Sequence, residues 1–413
     1  MKKFFLLIFI IGLSLGCYYL YDNYFKVDEL KKFLKNVEKE KLNIDKYYVY
    51  GRHLNFESKL IDGMNKDNLK IVLKSKNDEI EYDLNINDNS FNLSDNINEG
   101  INLEELNDSV YYILLKETNN EKVKYYSFNN KTEYEDTTYY SIIKDDKTKK
   151  MNINFNNYFK IDTNKIDSKD IYDIVIDAGH GGDDSGATNG KHYEANYTYE
   201  YAVSLKEKLN SLGYKVKLIR EENDGIKTYG KNSRTSIPND VHSKLLISIH
   251  FNSSEDYIRQ TGIEVYAPND ANLDFAYSLA KSLKENTSLG YSTNKAYLDK
   301  NGVYIKTFRQ SDINNVNNEA DKNGYNHYNV STSTPYLYMI RETGGIITKA
   351  FVDGRNKKYE ANPYYNSNIG VEAYLLELGY INNYSDLKVI MNEKNNYIKA
   401  IANEIDKYLK NNS

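Results

Sequence analysis

The chain has 413 residues, a length that favours two folded units over a single domain. Hydrophobic residues make up 40% of it, which is enough to build cores and excludes wholesale disorder. The net charge is −5 with mixed signs throughout, and this excludes a general nucleic-acid-binding role, because such proteins carry a basic stripe.

The N-terminus has the pattern of a membrane-targeting segment over residues 1–24. Two lysines precede the apolar run FFLLIFIIGLSLGC, which ends at Cys17. One interpretation is a resemblance to bacterial lipoprotein signals, in which Cys17 becomes the lipidated first residue, although Ser14 stands where leucine is usual. The alternative is an uncleaved anchor, because the stretch from Phe4 to Leu20 is long enough to cross a bilayer. Both interpretations place the rest of the chain outside the cytoplasmic membrane and tethered to it.

The segment after the apolar run is predicted to form a juxtamembrane helix at residues 25–44. VDELKKFLKNVEKEKL (residues 27–42) has apolar residues at helical spacing, which is typical of a spacer or a packing helix. Because Cys17 is the single cysteine, the exported part is expected to fold without an internal disulfide.

Residues 45–162 are predicted to form a β-rich domain. Short β-prone runs, from LKIVLKS to MNINFNNYF, are separated by polar turn residues, a spacing typical of a small sandwich or barrel. His53 is predicted to be structural, since this region has no cluster of histidines, cysteines or acids that would carry chemistry. The role of the domain stays open between a spacer and a binding module. The polar stretch DTNKIDSKD then predicts a linker, placed at residues 163–171.

From residue 172 to 413 strand and helix patterns alternate, which predicts an α/β domain with a mainly parallel sheet flanked by helices. The predicted strands are IYDIVID, YKVKLIR, KLLISIH, GIEVYA and VEAYLLELG. The predicted helices are EANYTYEYAVSLKEKLNSLG, with Gly213 at its C-terminal cap, NLDFAYSLAKSLKEN, and one long closing helix, SDLKVIMNEKNNYIKAIANEIDKYL.

Three of these strands end in residues that can carry chemistry: His180, His250 and Glu377. If the strands are parallel, these residues emerge at one edge of the sheet, where open α/β folds bind ligands. Glu194 opens the next helix and can return to that edge. Two neutral imidazoles and a carboxylate with one open position form a typical catalytic zinc site. A second carboxylate away from the metal would act as the base for the bound water. Each residue alone also has a structural explanation, although an acid inside AYLLELGY is costly to bury.

The segment from Ile174 to Asn383 resembles the zinc-dependent N-acetylmuramoyl-L-alanine amidases, bacterial cell-wall hydrolases of the type 3 amidase family. The matching pieces, in family order, are IDAGHGGDDSGA, YEANYTYEYAVSLKEKLNSLGYKVKLIRE, LLISIHFNSS and LLELGYINN. The resemblance implies one Zn²⁺ per catalytic domain and hydrolysis of the amide between N-acetylmuramic acid and L-alanine in peptidoglycan. It implies that the metal ligands are His180, Glu194 and His250 and that the catalytic glutamate is Glu377.

The chain departs from the family pattern in two places. In RTSIPND, Pro238 stands where the family has alanine, and proline constrains a helix. The stretch around residues 298–369 is longer than expected and is predicted to be an insertion, either a lid or substrate wall or an inert surface loop. Within it Arg341 is a candidate contact for an acidic peptide group, because its fork matches a carboxylate. Asn252, close after the second histidine, is another candidate substrate contact.

Two other functions stay open from the sequence. Two histidines and one carboxylate also form the facial triad of non-haem iron oxygenases, although the additional glutamate favours hydrolysis. The chain could instead be a non-catalytic cell-wall binding or assembly protein with an amidase-like domain. His192 and His327 are not assigned to the metal. The expected partner is peptidoglycan, and the expected location is the outer face of the bacterial cytoplasmic membrane.

Overall fold

The computed structural model describes residues 21–411 except 130–136, 144–146, 156, 167–169, 229, 257–258, 270–272, 325–326, 328–329 and 345–368. The apolar run that predicts a lipoprotein signal or anchor therefore lies outside the described residues. The same is true of the FVDGRNKKYEANPYY part of the predicted insertion. Among the described residues, no helix combines the length and the apolar character that crossing a bilayer requires.

The amino-terminal part is a helix followed by strands. Helix α1 spans Lys26–Lys35 after a π-helical turn at Tyr21–Phe25, and a 3-10 turn lies at Lys66–Asn68. The strands are β1 (Glu38–Tyr50), β2 (His53–Lys59), β3 (Leu69–Lys74), β4 (Glu79–Tyr82), β5 (Asn85–Asn87), β6 (Ser90–Asn92), β7 (Ile101–Asn102), β8 (Val110–Asn119), β9 (Lys122–Asn129), β10 (Thr137–Ile143), β11 (Lys147–Asn154) and β12 (Lys160–Ile166).

The strands that were expected to form a small sandwich or barrel are joined in one branched sheet. Its main path runs β10–β11–β12–β8–β9–β1–β2–β6–β5, while β3 branches from β8 and β7 pairs with β2. Aromatic side chains fill the core beneath it. The ring of Phe56 lies edge-on to those of Phe128 and Phe159, with centroids 5.3 Å apart in both pairs.

Two predicted boundaries are wrong in this part. The juxtamembrane helix predicted at residues 25–44 ends at Lys35, because Leu42 already belongs to β1 and pairs with Phe128 of β9. The linker predicted at 163–171 is a strand as far as Ile166, the last residue of β12. β12 pairs with β11 and β8 and buries Thr163, so ladder hydrogen bonds and a half-buried face decide its structure in spite of its polar sequence.

The second part of the chain alternates strands and helices. Its strands are β13 (Ile174–Ala178), β14 (Thr188–Asn189), β15 (His192–Tyr193), β16 (Val216–Leu218), β17 (Leu245–Asn252), β18 (Glu264–Tyr266), β19 (Leu298–Lys300), β20 (Val303–Tyr304), β21 (Ile369–Gly370) and β22 (Glu372–Tyr380). Its helices are α2 (Glu194–Ser211), α3 (Ile237–Asp240), α4 (Asp274–Asn286), α5 (Gln310–Asn323), α6 (Tyr338–Gly344), α7 (Tyr384–Asn392) and α8 (Lys394–Asn411).

The central sheet has the order β16–β13–β17–β22–β18–β20–β19. Strands β16, β13, β17 and β22 are parallel, as the sequence predicts, but β18 runs antiparallel to β22, so the sheet is mixed. Successive side chains of β13 point to opposite faces. Ile174 and Ile176 pack with residues of α2, α4 and α8, whereas Val175 packs with Met339 and Ile340 of α6. Helices therefore cover both faces of the sheet.

The closing segment is two helices rather than the single helix that its periodicity predicts. The break lies at Glu393, between α7 and α8. The backbone N–H of Ser288 donates to the Glu393 carboxylate at 2.9 Å, and the Ser288 hydroxyl donates at 2.5 Å. A side chain distant in sequence thus fixes the turn, which lets α7 pack on β22 and α8 on α2 and α4.

Buried charges join the two parts at the amino ends of the central strands. Lys244, next to the start of β17, contacts Glu104 at 2.8 Å and Asp173 at 3.6 Å. Arg52 lies 3.9 Å from Glu104, and its side chain is 1% exposed. Beside it Gly51 has a φ of +57°, and a Cβ there would lie 2.6 Å from a carboxylate oxygen of Glu372, so only glycine fits. This contact lies at the end of the sheet opposite the candidate site.

Candidate metal centre

The residues predicted at the strand ends meet at the carboxyl edge of the parallel strands. His250 on β17 is directly opposite Glu377 on β22 in the parallel register. His180 follows β13, the other neighbour of β17, by two residues. The parallel order β13–β17–β22 therefore brings both imidazoles and the second glutamate to one edge, as predicted from the sequence.

Glu194, the first residue of α2, lies between the two imidazoles. One carboxylate oxygen (Oε2) is 3.1 Å from Nε2 of His180, and the other (Oε1) is 3.0 Å from Nδ1 of His250. The same oxygens accept backbone N–H groups from Ala187 at 2.8 Å and from Phe251 at 3.0 Å. Burial would raise the pKa of Glu194, but hydrogen bonds from both histidines hold the pKa well below its ordinary value.

The donor set fits a single cation. One donor atom from each of His180, Glu194 and His250 lies within 4.8 Å of the others. Donors that share a tetrahedral zinc ion with bonds of about 2.0–2.1 Å are about 3.3 Å apart, close to the separations from Glu194 to the imidazoles. These observations fit two imidazoles and a carboxylate that share one metal ion.

The turn after β13 contains Gly179, which leaves room for the His250 ring. A Cβ on Gly179 would lie 2.3 Å from a ring carbon of His250, so a side chain there would displace the imidazole. His180 itself has a φ of +62°, a left-handed conformation that non-glycine residues rarely adopt and that concentrates at functional sites. Its Nδ1 is 2.9 Å from the carboxylate of Asp184. Burial lowers the pKa of His180, but the hydrogen bonds to Glu194 and Asp184 outweigh it and raise the pKa.

Two buried arginines hold this turn, and their contacts could not be derived from the sequence. Arg234 pairs with Asp177 at 2.5 Å and donates to the main-chain oxygens of Ala178, at 2.8 Å, and His180. Arg220 donates to the same Ala178 oxygen at 2.9 Å.

Pro238, which departs from the family pattern, lies in the first turn of α3, where its missing N–H removes no helical hydrogen bond.

Glu377 differs from Glu194 in the surroundings of its carboxylate. Its Oε2 is buried and accepts no hydrogen bond from the described residues. Across the antiparallel pair with β18 it faces Glu264, a buried acid that sequence analysis missed. Burial, with the negative charges of Glu194 and Glu264, raises the pKa of Glu377 well above its ordinary value, despite the opposing charge of Lys306.

A cavity of about 300 Å³ opens on these residues. It is lined by His180, Glu194, His250, Phe251, Asn252, Ser253, Leu337, Tyr338, Met339, Leu375 and Glu377. Part of the predicted insertion, the start of α6, thus forms one wall of the cavity. Asn252 lies on the wall, and its side-chain oxygen accepts the N–H of Ser253 at 2.8 Å. Its contact with substrate stays a prediction. We refer to this space as the metal cavity.

Arg341 does not line the metal cavity. It is 2% exposed, and its guanidinium donates to the main-chain oxygens of Pro335, at 3.1 Å, and Tyr336. The structure therefore does not bring Arg341 together with the four residues at the strand ends. Its contact with an acidic peptide group stays a prediction that this placement does not favour, because the fork already holds the backbone before α6.

A family model and several known proteins match the chain. The family model described as N-acetylmuramoyl-L-alanine amidase matches residues 174–407, more than half of the chain. The probable cell wall amidase LytH of Staphylococcus epidermidis is 32% identical over 143 residues, which are 34% of this chain and 44% of that protein. The chain thus matches less than half the length of this relative.

Two further proteins are similar to the chain. A Buchnera aphidicola protein, named as an N-acetylmuramoyl-L-alanine amidase, is 29% identical over 216 residues, which are 49% of this chain and 96% of that protein. Among solved structures, the catalytic domain of CwlV, an N-acetylmuramoyl-L-alanine amidase from Bacillus (Paenibacillus) polymyxa var. colistinus, is 22% identical. It aligns with a TM-score of 0.39 over 58% of this chain and 99% of that chain.

Proposed function

The chain belongs to the N-acetylmuramoyl-L-alanine amidase family, and we propose that it hydrolyses the amide bond between N-acetylmuramic acid and L-alanine in peptidoglycan with the help of one bound zinc ion. The observation that supports this most is the placement of His180, Glu194 and His250 around one point, with Glu377 in the same cavity. Metal-assisted amide hydrolysis uses a metal site and a proton acceptor that is not a metal ligand, and both sets of groups line this cavity.

The two histidines and Glu194 would hold the ion, with the imidazoles neutral. A bound zinc ion would polarise the scissile carbonyl and lower the pKa of a water molecule. Asp184 positions the His180 ring through Nδ1, which leaves Nε2 directed at the site. Glu194 is unsuited to proton transfer, because both of its oxygens already accept hydrogen bonds from backbone N–H groups and contact the imidazoles.

Glu377 would act as general base and then as general acid. Its carboxylate would take a proton from the attacking water and pass it to the nitrogen of the leaving L-alanine. A raised pKa suits this double role, because the group must hold the proton between the two transfers. Its Oε2 accepts no hydrogen bond from the described residues, which leaves this oxygen to accept the proton in the first transfer. A non-haem iron oxygenase with a facial triad needs no additional carboxylate in this position. The presence of Glu377 beside the metal ligands therefore favours hydrolysis over oxygenation.

The proposed site of action is the outer face of the bacterial cytoplasmic membrane. The support is the targeting pattern of residues 1–24, with either lipidation at Cys17 or an uncleaved anchor. Peptidoglycan is the proposed partner. The amino-terminal sheet is proposed as a spacer or a binding module, and its tight junction with the α/β part through Lys244 and Glu104 favours a fixed spacing between them.

Digestion of purified peptidoglycan, followed by mass spectrometry, tests the proposed bond. We expect intact stem peptides with free L-alanine amino termini. New reducing sugar ends without such termini would contradict the proposal and indicate a glycosidase.

The variant Glu377→Gln tests the role of this residue. It is expected to keep zinc and to hydrolyse peptidoglycan about 10²–10⁴-fold more slowly. Hydrolysis by this variant at the wild-type rate would refute the role of Glu377, and a wild-type protein without activity would favour the non-catalytic binding alternative.

A further inference from the structure

A cavity of about 420 Å³ lies in the amino-terminal part and shares no lining residue with the metal cavity. Helix α1 lines it with Lys31, Lys32 and Lys35, and the start of β1 adds Lys39. All four lysines are exposed, so their ammonium groups are open to a ligand. We refer to this space as the lysine cavity.

Contacts between α1 and the sheet fix the wall of the lysine cavity. Leu34 is buried and packs in one cluster with Leu114 of β8. The hydroxyl of Tyr158 donates to the main-chain oxygen of Leu34 at 3.2 Å, and the Tyr158 ring lies edge-on to that of Tyr112 at 5.2 Å. These contacts hold the inner face of α1 on the sheet. The opposite face of α1 therefore presents its lysines to solvent in a fixed arrangement.

The charge of the lining is strongly positive. Asp28 is the one carboxylate among the described residues that line the cavity, and it lies 4.0 Å from the Lys31 ammonium. Four lysines against one aspartate give the lining a formal charge of +3. Glu29 and Glu38, the neighbouring acids in the chain, are exposed and do not line the cavity. The lining therefore attracts anions, and lysine is a common ligand of phosphate groups.

Exposed aromatic side chains precede the lysines. Tyr21, Tyr24 and Phe25 are 51%, 62% and 64% exposed. The backbone of Phe25 is already helical, and Lys32 follows it by seven residues, so the ring and this ammonium share one face of the helix. Aromatic rings favour the interface between lipid and water, where they lie at the level of the headgroups. Rings and lysines on one face are thus typical of a helix that contacts a membrane surface.

The position of α1 in the chain favours lipid over other sources of phosphate. In both interpretations of residues 1–24 the membrane segment ends at Cys17 or Leu20, and Lys31 follows within fourteen residues. A helix rises about 1.5 Å per residue, so Lys31 lies roughly 15–25 Å along the chain from that point. A helix inclined to the membrane brings its lysines to the headgroup layer, which is about 5–8 Å thick on each side. Lipid phosphates are therefore anions that the tether itself keeps within reach.

We propose that the lysine cavity binds the phosphate groups of anionic phospholipids, with Tyr21, Tyr24 and Phe25 at the level of the headgroups. This inference rests on the membrane location given under the proposed function and is independent of the proposed reaction. The contact holds α1 against the membrane surface. Because α1 is packed on the amino-terminal sheet, the contact also fixes the orientation of that sheet relative to the membrane.

Native mass spectrometry of the full-length chain in neutral detergent micelles tests the lipid contact. The probes are dioctanoyl-phosphatidylglycerol, which is anionic, and dioctanoyl-phosphatidylcholine, which has the same acyl chains and no net charge. We expect tighter binding of the anionic lipid. Lys32→Gln/Lys35→Gln is expected to weaken that binding about 30-fold, because two cations near the phosphate are lost. The control Lys281→Gln/Lys399→Gln removes two exposed lysines from α4 and α8 and is expected to keep the wild-type affinity.

Two single variants are expected to change the affinity in opposite directions. Asp28→Asn removes the carboxylate of the lining and is expected to tighten binding of the anionic lipid about fivefold, a gain that a merely structural role of α1 does not predict. Phe25→Ala removes an exposed ring from the same face and is expected to weaken binding of both lipids about tenfold.

Three results would overturn the lipid contact. The first is equal affinity for the two lipids, and the second is an unchanged affinity in a Lys32→Gln/Lys35→Gln chain with the wild-type circular dichroism spectrum. The third is binding of glycerol phosphate or polyphosphate as tight as that of the anionic lipid, because the cavity would then take a soluble phosphate. Peptidoglycan is absent from these measurements. A chain that binds the anionic lipid but cleaves no amide would thus overturn the proposed reaction alone.

Discussion

Replacing Arg234 by methionine tests how the turn that carries His180 is held. The guanidinium and the carboxylate of Asp177 form an ion pair at 2.5 Å, with side chains 5% and 0% exposed. Methionine keeps much of the apolar stem but removes the charge and every donor. Asp177 would then stay buried, and among the described residues the hydroxyl of Ser248, at 2.7 Å, would be the donor that remains to it.

We expect a large loss of stability, because Arg234→Met removes one partner of a buried ion pair. Removing one charge of such a pair costs about 3–5 kcal/mol of unfolding free energy. The main-chain oxygen of His180 also loses the donor from Arg234, so we expect zinc affinity to fall about 10–100-fold, as for other residues that orient a metal ligand.

The chain offers a matched control. Arg259 also pairs with an aspartate, Asp256, at 2.8 Å, but its side chain is 83% exposed. Arg259→Met is expected to change stability by less than about 1 kcal/mol. Urea unfolding followed by far-ultraviolet circular dichroism suits a protein without tryptophan. If Arg234→Met and Arg259→Met lost equal amounts of unfolding free energy, the buried ion pair of Arg234 would not hold the turn as described.

Three other predictions concern ionisable side chains. Glu104→Gln removes the carboxylate between Arg52 and Lys244 and is expected to cost about 3–5 kcal/mol in urea unfolding; a loss below about 1 kcal/mol would contradict this. Burial and the Arg52 guanidinium lower the pKa of His53 from 6.5 to about 3, so between these values the unfolded chain binds a proton that the folded chain does not, and stability falls as the pH falls. Between pH 7 and pH 5 this loss is about 2 kcal/mol, and it should vanish in His53→Gln but persist in a control variant of the exposed His327, His327→Gln. Asp184→Ala is expected to weaken zinc binding about 10–100-fold in chelator competition, and an unchanged affinity would count against its contact with His180.

The strand-end residues could be predicted because their positions follow from local pattern and one topological rule. Buried runs that end in His180, His250 and Glu377 needed only parallel order to meet at one edge, and that order is confirmed. No such rule predicts the residues that surround them. Glu264 reaches Glu377 because β18 is antiparallel to β22, and a short apolar run carries no information about direction.

Long-range partners also explain the wrong boundaries. The closing helix breaks at Glu393, because its carboxylate accepts hydrogen bonds from Ser288, more than a hundred residues earlier in the chain. β12 is a strand despite its polar sequence, because β11 and β8 offer open edges on both sides. Helical periodicity and polarity are properties of the local sequence. The helix break and the strand β12 depend instead on the segments that these residues pack against.

The most direct test is to count zinc in the purified full-length protein by mass spectrometry after loading and dialysis. We expect one zinc ion per chain, and loss of that ion in His180→Ala and His250→Ala. His192→Ala is the control, because that imidazole contacts the Tyr197 hydroxyl at 2.6 Å and is not part of the donor set, so this variant should retain the ion. A wild-type chain that binds no zinc, or a His250→Ala chain that keeps a full equivalent, would contradict the metal centre.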